Sequence, residues 1–249
     1  MSRAPASTRI GTAGWSIAKN CASSFPVEGS ALERYATKLT AAEINSSFHR
    51  PHRLSTWEKW RDSVPDGFRF SVKLPKTITH ERRLADCADL LPTFIEQASL
   101  LGSKMGVLLI QLPPSLAFDA DLFRHFVELL RGLSPALLAC EPRHPSWFET
   151  ECDALLAELR VARVAADPAR VPEAAEPGGW TGLRYWRLHG SPVIYRSSYG
   201  DRLVDYADQI AADAGDRWCI FDNTASSAAT GDALALQQAL ASKSPSPMT

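Results

Sequence analysis

The chain has 249 residues, of which 45% are hydrophobic and 22% are charged. Its 27 basic and 28 acidic residues give a formal net charge of −1, so it lacks the overall positive charge typical of proteins that bind nucleic acid nonspecifically. The length fits one large α/β domain.

Eight apolar runs of strand length recur along the chain and predict eight β-strands. They cover residues 9–15, 41–48, 68–74, 105–112, 136–141, 161–167, 183–190 and 217–223.

Helical patterns lie between most of these strands. Ser30 and Glu33 form a capping box that opens the first helix, and Gly102 ends a helix whose apolar face runs from Leu91 to Leu101. Further helical segments are predicted at residues 119–133, 151–160, 201–215 and 231–240. Residues 168–182 contain three prolines and a glycine pair, so a loop or one short turn is expected there.

Strands that alternate with helices indicate a series of βαβ units. Eight strands favour a closed (β/α)8 barrel over an open doubly wound sheet. We therefore predict an α/β protein with a single TIM-type barrel domain at residues 9–241, in which the sixth helix is short or replaced by a loop.

The cysteines and the N-terminal segment indicate in which compartment of the cell the protein is found. The five cysteines show no CxxC spacing, and their odd number argues against a disulfide framework. The segment "MSRAPASTRIGTAGW" lacks the apolar core of a signal peptide, and no apolar run is long enough to span a membrane. We expect a cytoplasmic protein with no membrane partner, and flexible ends at residues 1–8 and 242–249.

Polar side chains gather at the C-terminal ends of the predicted strands, which form the open mouth of such a barrel. The candidate site residues are Glu43, Asn45, Lys73, His80, Glu141, Arg143, His144, Arg187, His189, Asp222 and Asn223. Arg187 and His189 alternate with apolar neighbours and therefore share one face of their strand. For Glu43 a structural ion pair with Lys73, inside the barrel, is an alternative to a direct role.

Seven segments of the chain match the motifs of a known family in order. They are "IGTAGWS", "EINSSFHRP", "FRFSVKLPKTITH", "QLPPSLAFD", "EPRHPSWF", "YWRLHGSPVIY" and "FDNTASSAATGDAL". Over nearly its whole length the sequence resembles the DUF72 family, also called the YecE-like proteins. The resemblance implies a TIM barrel and a family of unassigned biochemical function.

The family motif residues carry over onto Glu43, Asn45, Lys73, Thr79, His80, Glu141, Arg143, His144, Trp147, Arg187, His189, Gly190 and Asn223. Two departures stand out. The chain has Phe48-His49 where the family commonly has Phe-Tyr, and Asp222-Asn223 where it commonly has Asn-Asn. The second departure adds a carboxylate to the mouth.

The candidate residues favour an enzyme that acts on a phosphorylated or otherwise anionic small molecule, phosphodiesters included. Arginine offers a bidentate fork for such oxyanions, and histidine beside a carboxylate suits proton transfer near neutral pH. In this interpretation the chemistry is acid–base or hydrolytic. The catalytic candidates are Glu43 or Glu141 as the base, and His144 or His189 as the acid or orienting group. The expected substrate-binding residues are Asn45, Lys73, His80, Arg143, Arg187 and Asn223.

Three alternatives remain open. A divalent metal could bind Glu43, Glu141, His144, His189 and Asp222, but we favour this less because neighbouring arginines would repel a cation. Glu43 and Glu141 could also act as a glycosidase pair. Finally, a non-catalytic barrel could bind an anionic metabolite or a nucleic-acid backbone, to which "HRPHR" at residues 49–53 could contribute. The sequence identifies neither a cofactor nor a protein partner.

Overall fold

A computed structural model of the chain describes residues 8–243. The ends that we predicted to be flexible lie outside these residues, with three exceptions. Thr8 begins the first strand, and Ser242 and Lys243 belong to the last helix. Among the described residues, no helix combines the length and the apolar character that crossing a membrane would require.

One sheet contains all the described strands and forms the centre of the protein. The strands are β1 (Thr8–Ala13), β2 (Ala41–Ile44), β3 (Arg69–Lys73), β4 (Met105–Gln111), β5 (Leu137–Glu141), β6 (Val161–Arg163), β7 (Ala165–Asp167), β8 (Gly178–Gly179), β9 (Leu183–Leu188) and β10 (Asp216–Phe221). Their spatial order is β7-β9-β10-β1-β2-β3-β4-β5-β6-β8. Only β6 and β8 pair in antiparallel fashion within this order.

The predicted sixth strand, residues 161–167, is interrupted at Val164 and closes the barrel through its two halves. Its first half, β6, pairs with β5, whereas its second half, β7, pairs with β9 at the other end of the sheet. The eight predicted strands thus form a nearly closed barrel, which confirms the predicted fold class.

The helices are α1 (Ala31–Ala36), α2 (Leu54–Asp62), α3 (Leu91–Ser99), α4 (Ala120–Leu133), α5 (Thr150–Glu158), α6 (Leu203–Ala212) and α7 (Ala229–Lys243). The capping box of α1 is confirmed, since the backbone N–H of Glu33 donates to Ser30 Oγ and that of Ser30 donates to the Glu33 carboxylate. Between β7 and β9 the chain forms a short 3-10 turn (Pro172–Ala175) and β8, so the predicted loss of the sixth helix is also confirmed. Helix α2 was absent from the predicted segments because only Trp57 among its residues is buried, which leaves little apolar periodicity.

The barrel interior changes from apolar to charged along the strands. Near the N-terminal ends it is filled by residues such as Val107, Leu183 and Trp218. Tyr185 stacks on Trp218 and ends the apolar layer, because its hydroxyl donates to Ser71 Oγ at 2.9 Å. Beyond Tyr185, the inward positions at the C-terminal ends of the strands are charged.

A close approach between β1 and β2 gives a first prediction. A Cβ atom on Gly11 would lie 2.0 Å from the backbone oxygen of Ala41, a distance that the paired strands cannot tolerate. We expect Gly11→Ala to lower the free energy of unfolding, measured by urea denaturation, by about 1–3 kcal/mol or more. Gly67→Ala is the control, since its Cβ would meet nothing within 4 Å and should change stability by less than about 1 kcal/mol. Equal stability of the two variants would contradict this strand geometry.

Candidate active site

The centre of the charged layer is Arg187 on β9, which is fully buried and contacts three carboxylates. Its Nη2 and Nε donate to Glu43 Oε1 and Oε2 at 2.7 and 3.0 Å, and its Nη1 donates to Glu141 Oε2 at 2.9 Å. Nη2 also lies 2.9 Å from Asp222 Oδ2. Glu43 therefore pairs with Arg187 and not with Lys73. The structure brings together the ends of β2, β5, β9 and β10 through one guanidinium.

His189 is held between two of these acids. Its Nε2 lies 3.1 Å from Glu141 Oε1 and its Nδ1 lies 3.1 Å from Asp222 Oδ2. Ionised carboxylates only accept hydrogen bonds, so this geometry favours a hydrogen on both ring nitrogens, which is the imidazolium form. We call the group of Arg187, His189, Glu43, Glu141 and Asp222 the Arg187 cluster.

The electrostatics of the cluster keep two of its acids ionised. Burial acts to raise the pKa of Glu141, but the charges of Arg187, His189 and Arg143 hold that pKa well below its usual value. Burial also acts to raise the pKa of Asp222, and Arg187 and His189 outweigh it and lower the pKa. Glu141 is therefore a weak base at neutral pH, which disfavours its predicted role as proton acceptor.

The same electrostatics predict how the histidines titrate. Burial acts to lower the pKa of His189, but Glu141 and Asp222 raise it above the ordinary 6.5. Burial lowers the pKa of His80 and His52 below 6.5, with help from Lys73 and Arg143 at His80 and from Arg50 at His52.

We expect an NMR titration of the imidazole Cε1–H signals to place His189 above 6.5 and His80 and His52 below it. Because the pKa of His189 is higher in the fold than in the unfolded chain, its contribution to stability is complete below about pH 6.5 and is lost as pH rises through the folded pKa. A midpoint for His189 below those of His80 and His52 would contradict the paired geometry.

Three further basic side chains lie at the mouth around the Arg187 cluster. Lys73, at the end of β3, is only 6% exposed, and its Nζ lies 4.0 Å from the centroid of the Phe48 ring. Arg143 donates from Nε and Nη2 to Glu141 Oε1 at 3.1 and 2.9 Å, and a fifth of its side chain is exposed. His80 is half-buried, and its ring centroid lies 4.9 Å from that of Phe48.

Lys73 gives the mouth its surplus positive charge. The Arg187 cluster holds three carboxylates and two cations, and Arg143 supplies a third cation, so protonated Lys73 leaves a net charge of +1. Among residues 8–243 its Nζ forms no ion pair and no hydrogen bond. Burial, with a smaller contribution from Arg187, lowers the pKa of Lys73 to about 8, although Glu43, Glu141 and Asp222 act to raise it.

The remaining predicted residues lie outside the Arg187 cluster. His144 Nδ1 accepts from the Ser146 backbone N–H at 3.2 Å and caps the short turn Pro145–Phe148, and in the described part of the chain the His144 ring makes no bond to the cluster. Asn223 Nδ2 donates to Asp232 Oδ2 at 2.6 Å and to the Ser197 backbone oxygen at 2.9 Å. Asn45 Oδ1 is buried and has no hydrogen-bond partner within residues 8–243.

The loop after β9 covers His189 and supplies a residue that sequence reasoning missed. The ring centroids of Tyr195 and His189 are 5.8 Å apart, in an edge-to-face arrangement. Gly190 begins the loop with φ +95°, and a Cβ there would lie 2.9 Å from the backbone oxygen of Ser197. The motif "YWRLHGSPVIY" already contained Tyr195, but periodicity gives no position for a loop residue.

Two cavities lie near the mouth. One of about 40 Å³ lies beneath the loop after β9 and is lined in part by Glu141, Arg143 and His189. The other, of about 570 Å³, lies beside the mouth, where Phe48 and Lys76 are part of its lining. The larger cavity does not include the Arg187 cluster, and we place the site at the cluster because the charges converge there.

The predicted metal-binding candidates do not form a metal site in the described range. No group of three or more His, Cys, Asp or Glu side chains among residues 8–243 could hold an ion. Arg187 forms ion pairs with the carboxylates of Glu43, Glu141 and Asp222. His144 Nδ1 accepts a hydrogen bond from the Ser146 backbone N–H. These donors do not fit a divalent ion.

Comparison with solved structures supports the fold. A DUF72 family protein from Enterococcus faecalis V583 superposes with a TM-score of 0.79 at 18% identity, covering 98% of this chain and 99% of that one. For a DUF72 family protein from Thermotoga maritima MSB8 the TM-score is 0.76 at 22% identity, with 94% and 99% covered. An L-ribulose 3-epimerase also shares the fold, with a TM-score of 0.58, 14% identity and 95% of each chain covered.

Sequence comparison identifies the family. The chain is 31% identical over 152 residues to the UPF0759 protein YecE of Escherichia coli K12, and the match covers 59% of this chain and 55% of that protein. The chain thus spans about half the length of this curated relative. The model of the family described as "Protein of unknown function DUF72" matches residues 9–249. The chain therefore belongs to the DUF72 family.

Proposed function

We propose that the mouth of the barrel binds a phosphorylated or otherwise anionic small molecule, phosphodiesters included, and carries out acid–base chemistry on it. The observation that carries the proposal is the surplus charge of Lys73. A buried ammonium without a carboxylate partner is costly, so an anion that enters the mouth and pairs with it would stabilise the charged form.

Arg143 is suited to hold the same anion. Its Nε and Nη2 are engaged by Glu141, whereas its Nη1 makes no hydrogen bond in the described part of the chain and a fifth of its side chain faces solvent. A guanidinium nitrogen with free N–H groups is a good donor to phosphate or carboxylate oxygens. Arg187, in contrast, is saturated by three acids and acts as a positioning residue.

Lys73 is also the group best able to exchange a proton. With a pKa of about 8 it is mostly charged at pH 7 but can lose its proton at low cost. We therefore assign the acid–base role to Lys73. Glu43 and Glu141 are less suited to it, because their oxygens accept hydrogen bonds from arginine side chains. His189 holds its two protons between Glu141 and Asp222 and can orient both acids.

The test is a thermal-shift screen against inorganic phosphate, phosphorylated sugars, nucleotides and short oligonucleotides. We expect phosphorylated ligands to raise the melting temperature of the parent and of Arg160→Ala, which removes an exposed arginine that precedes β6 at the end of the barrel opposite the mouth. Arg143→Ala should weaken binding by at least about tenfold, since a hydrogen bond to a charged group is lost. Equal shifts in the two arginine variants, or no shift in the parent, would overturn the proposal.

A non-catalytic barrel that binds a nucleic-acid backbone is the second candidate. The observation that favours it is the exposure of His49, Arg50 and Arg53 beside the mouth. Binding to a backbone through several phosphates falls steeply as salt increases, whereas binding of one small buried anion falls less. A steep salt dependence that is lost in an Arg50→Ala, Arg53→Ala double variant would support the second candidate over the first.

A further inference from the structure

We propose that Lys73 forms a covalent imine with its substrate, which makes the substrate class an aldehyde or ketone that also bears a carboxylate or a phosphate. This inference rests on the proposed anion site, because the acidic group of such a substrate would be bound there.

The surroundings of Lys73 allow its ammonium to lose a proton more readily than an ordinary lysine, and the neutral amine is the nucleophile. Lys73 is only 6% exposed, and no acid within residues 8–243 holds its Nζ as an ammonium through an ion pair. The Phe48 ring, whose centroid lies 4.0 Å from Nζ, contributes a cation–π contact but no hydrogen-bond acceptor. A lysine becomes a nucleophile when it is desolvated or placed beside other cations. Both conditions hold here, because burial and Arg187 together lower the pKa of Lys73 to about 8.

Lys104 shows that burial alone does not create this environment. It is 6% exposed, as is Lys73, but its Nζ lies 2.9 Å from Asp66 Oδ1 and donates to the Pro65 backbone oxygen at 2.7 Å. These two partners occupy the Lys104 side chain. The chain therefore contains two equally buried lysines, of which only one is without a bonding partner among the described residues.

The charged groups around Lys73 come from several elements of the barrel. They are Glu43 at β2, Glu141 at the end of β5, Arg187 on β9 and Asp222 after β10. His80, after β3, is influenced by both Lys73 and Arg143. Glu43, Glu141 and Asp222 already accept hydrogen bonds from the cluster cations. They act to raise the pKa of Lys73, but none of them forms an ion pair with its Nζ. Arg143 Nη1 would bind the carboxylate or phosphate of the substrate and present its carbonyl group to Nζ.

Imine formation needs only the amine of Lys73 and the carbonyl group of the substrate, and it releases one water molecule. The neutral Nζ attacks the carbonyl carbon and forms a C–N bond. The C–O bond then breaks, and the carbonyl oxygen leaves as water with the two hydrogens that Nζ carried. Nothing is oxidised or reduced, and the resulting imine can take up a proton, which withdraws electrons from the adjacent carbon.

Reductive trapping with peptide mass spectrometry tests the inference. The whole protein is incubated at pH 7 with glyoxylate, which carries an aldehyde and a carboxylate, in the presence of cyanoborohydride. We expect Lys73 to be modified at least about tenfold faster than Lys104 and the exposed Lys59, because a lysine of pKa 8 has a far larger neutral fraction than an ordinary one. Inorganic phosphate should slow the labelling of Lys73, and neutral propanal should label it less than glyoxylate does.

Lys73→Arg is the matched variant, since it keeps the charge but cannot form the imine. It should show no adduct at position 73 while phosphate still raises its melting temperature. If Lys73 in the parent is not labelled preferentially although anion binding depends on Arg143, the imine is wrong and the anion site stands. If phosphate neither binds nor competes and no preferential labelling occurs, both proposals fail.

Discussion

Replacing Arg187 with methionine is expected to lower the free energy of unfolding by about 3–5 kcal/mol. The guanidinium satisfies Glu43, Glu141 and Asp222 in a fully buried position, and methionine would leave three carboxylates in the barrel without their main cation. Urea denaturation at pH 7, followed by circular dichroism, measures the loss.

Arg124→Met is the control for this variant. Arg124 donates to both oxygens of Glu158 at 2.6 and 2.9 Å, which is the bidentate geometry of Arg187 and Glu43, but the pair lies on the surface. We expect no measurable loss from this substitution, since exposed ion pairs contribute little. A loss in Arg187→Met as small as that of the control would show that the cluster does not hold the barrel together.

Glu141→Gln is expected to cost about 3 kcal/mol or more at pH 7, because Arg187, Arg143 and His189 all lose an ionised partner. The variant should also change the acid limb of the stability curve. The pKa of Glu141 is lower in the fold than in the unfolded chain, so its contribution is present above about pH 4.3 and is lost as pH falls through the folded pKa. Glutamine cannot titrate, and this part of the pH dependence should disappear.

Urea denaturation across the acid range checks both parts of the prediction. Glu158→Gln, at the exposed partner of Arg124, should change the pH dependence much less, because the solvent screens this pair. An acid limb in Glu141→Gln as steep as that of the parent would mean that other carboxylates account for the pH dependence.

The sequence was sufficient to predict the barrel and the gathering of charge at its mouth. Strand periodicity gives the face of each residue, so Glu43, Lys73, Arg187 and His189 were placed inward correctly. Periodicity does not give distances across a barrel, and for this reason the pairing of Glu43 with Arg187 in place of Lys73 could not be predicted.

The partners of side chains in loops also could not be predicted from the periodicity of the sequence. His144 lies beside Arg143 in the chain, yet its ring is taken by the local turn at Ser146. Asn223 follows Asp222 directly, yet its amide binds Asp232 and the loop after β9. All four residues lie beyond the ends of β5 and β10, so the alternation of a strand does not set the directions of their side chains.

The position of an anion bound to the mouth can be seen in crystals soaked with selenate, by anomalous scattering from selenium. We expect a selenium peak at the mouth, between Lys73 Nζ and Arg143 Nη1, and no peak there in Lys73→Met crystals. Selenate bound only at surface positions, with the mouth of the parent free of it, would contradict the claim that the surplus charge of Lys73 forms an anion site.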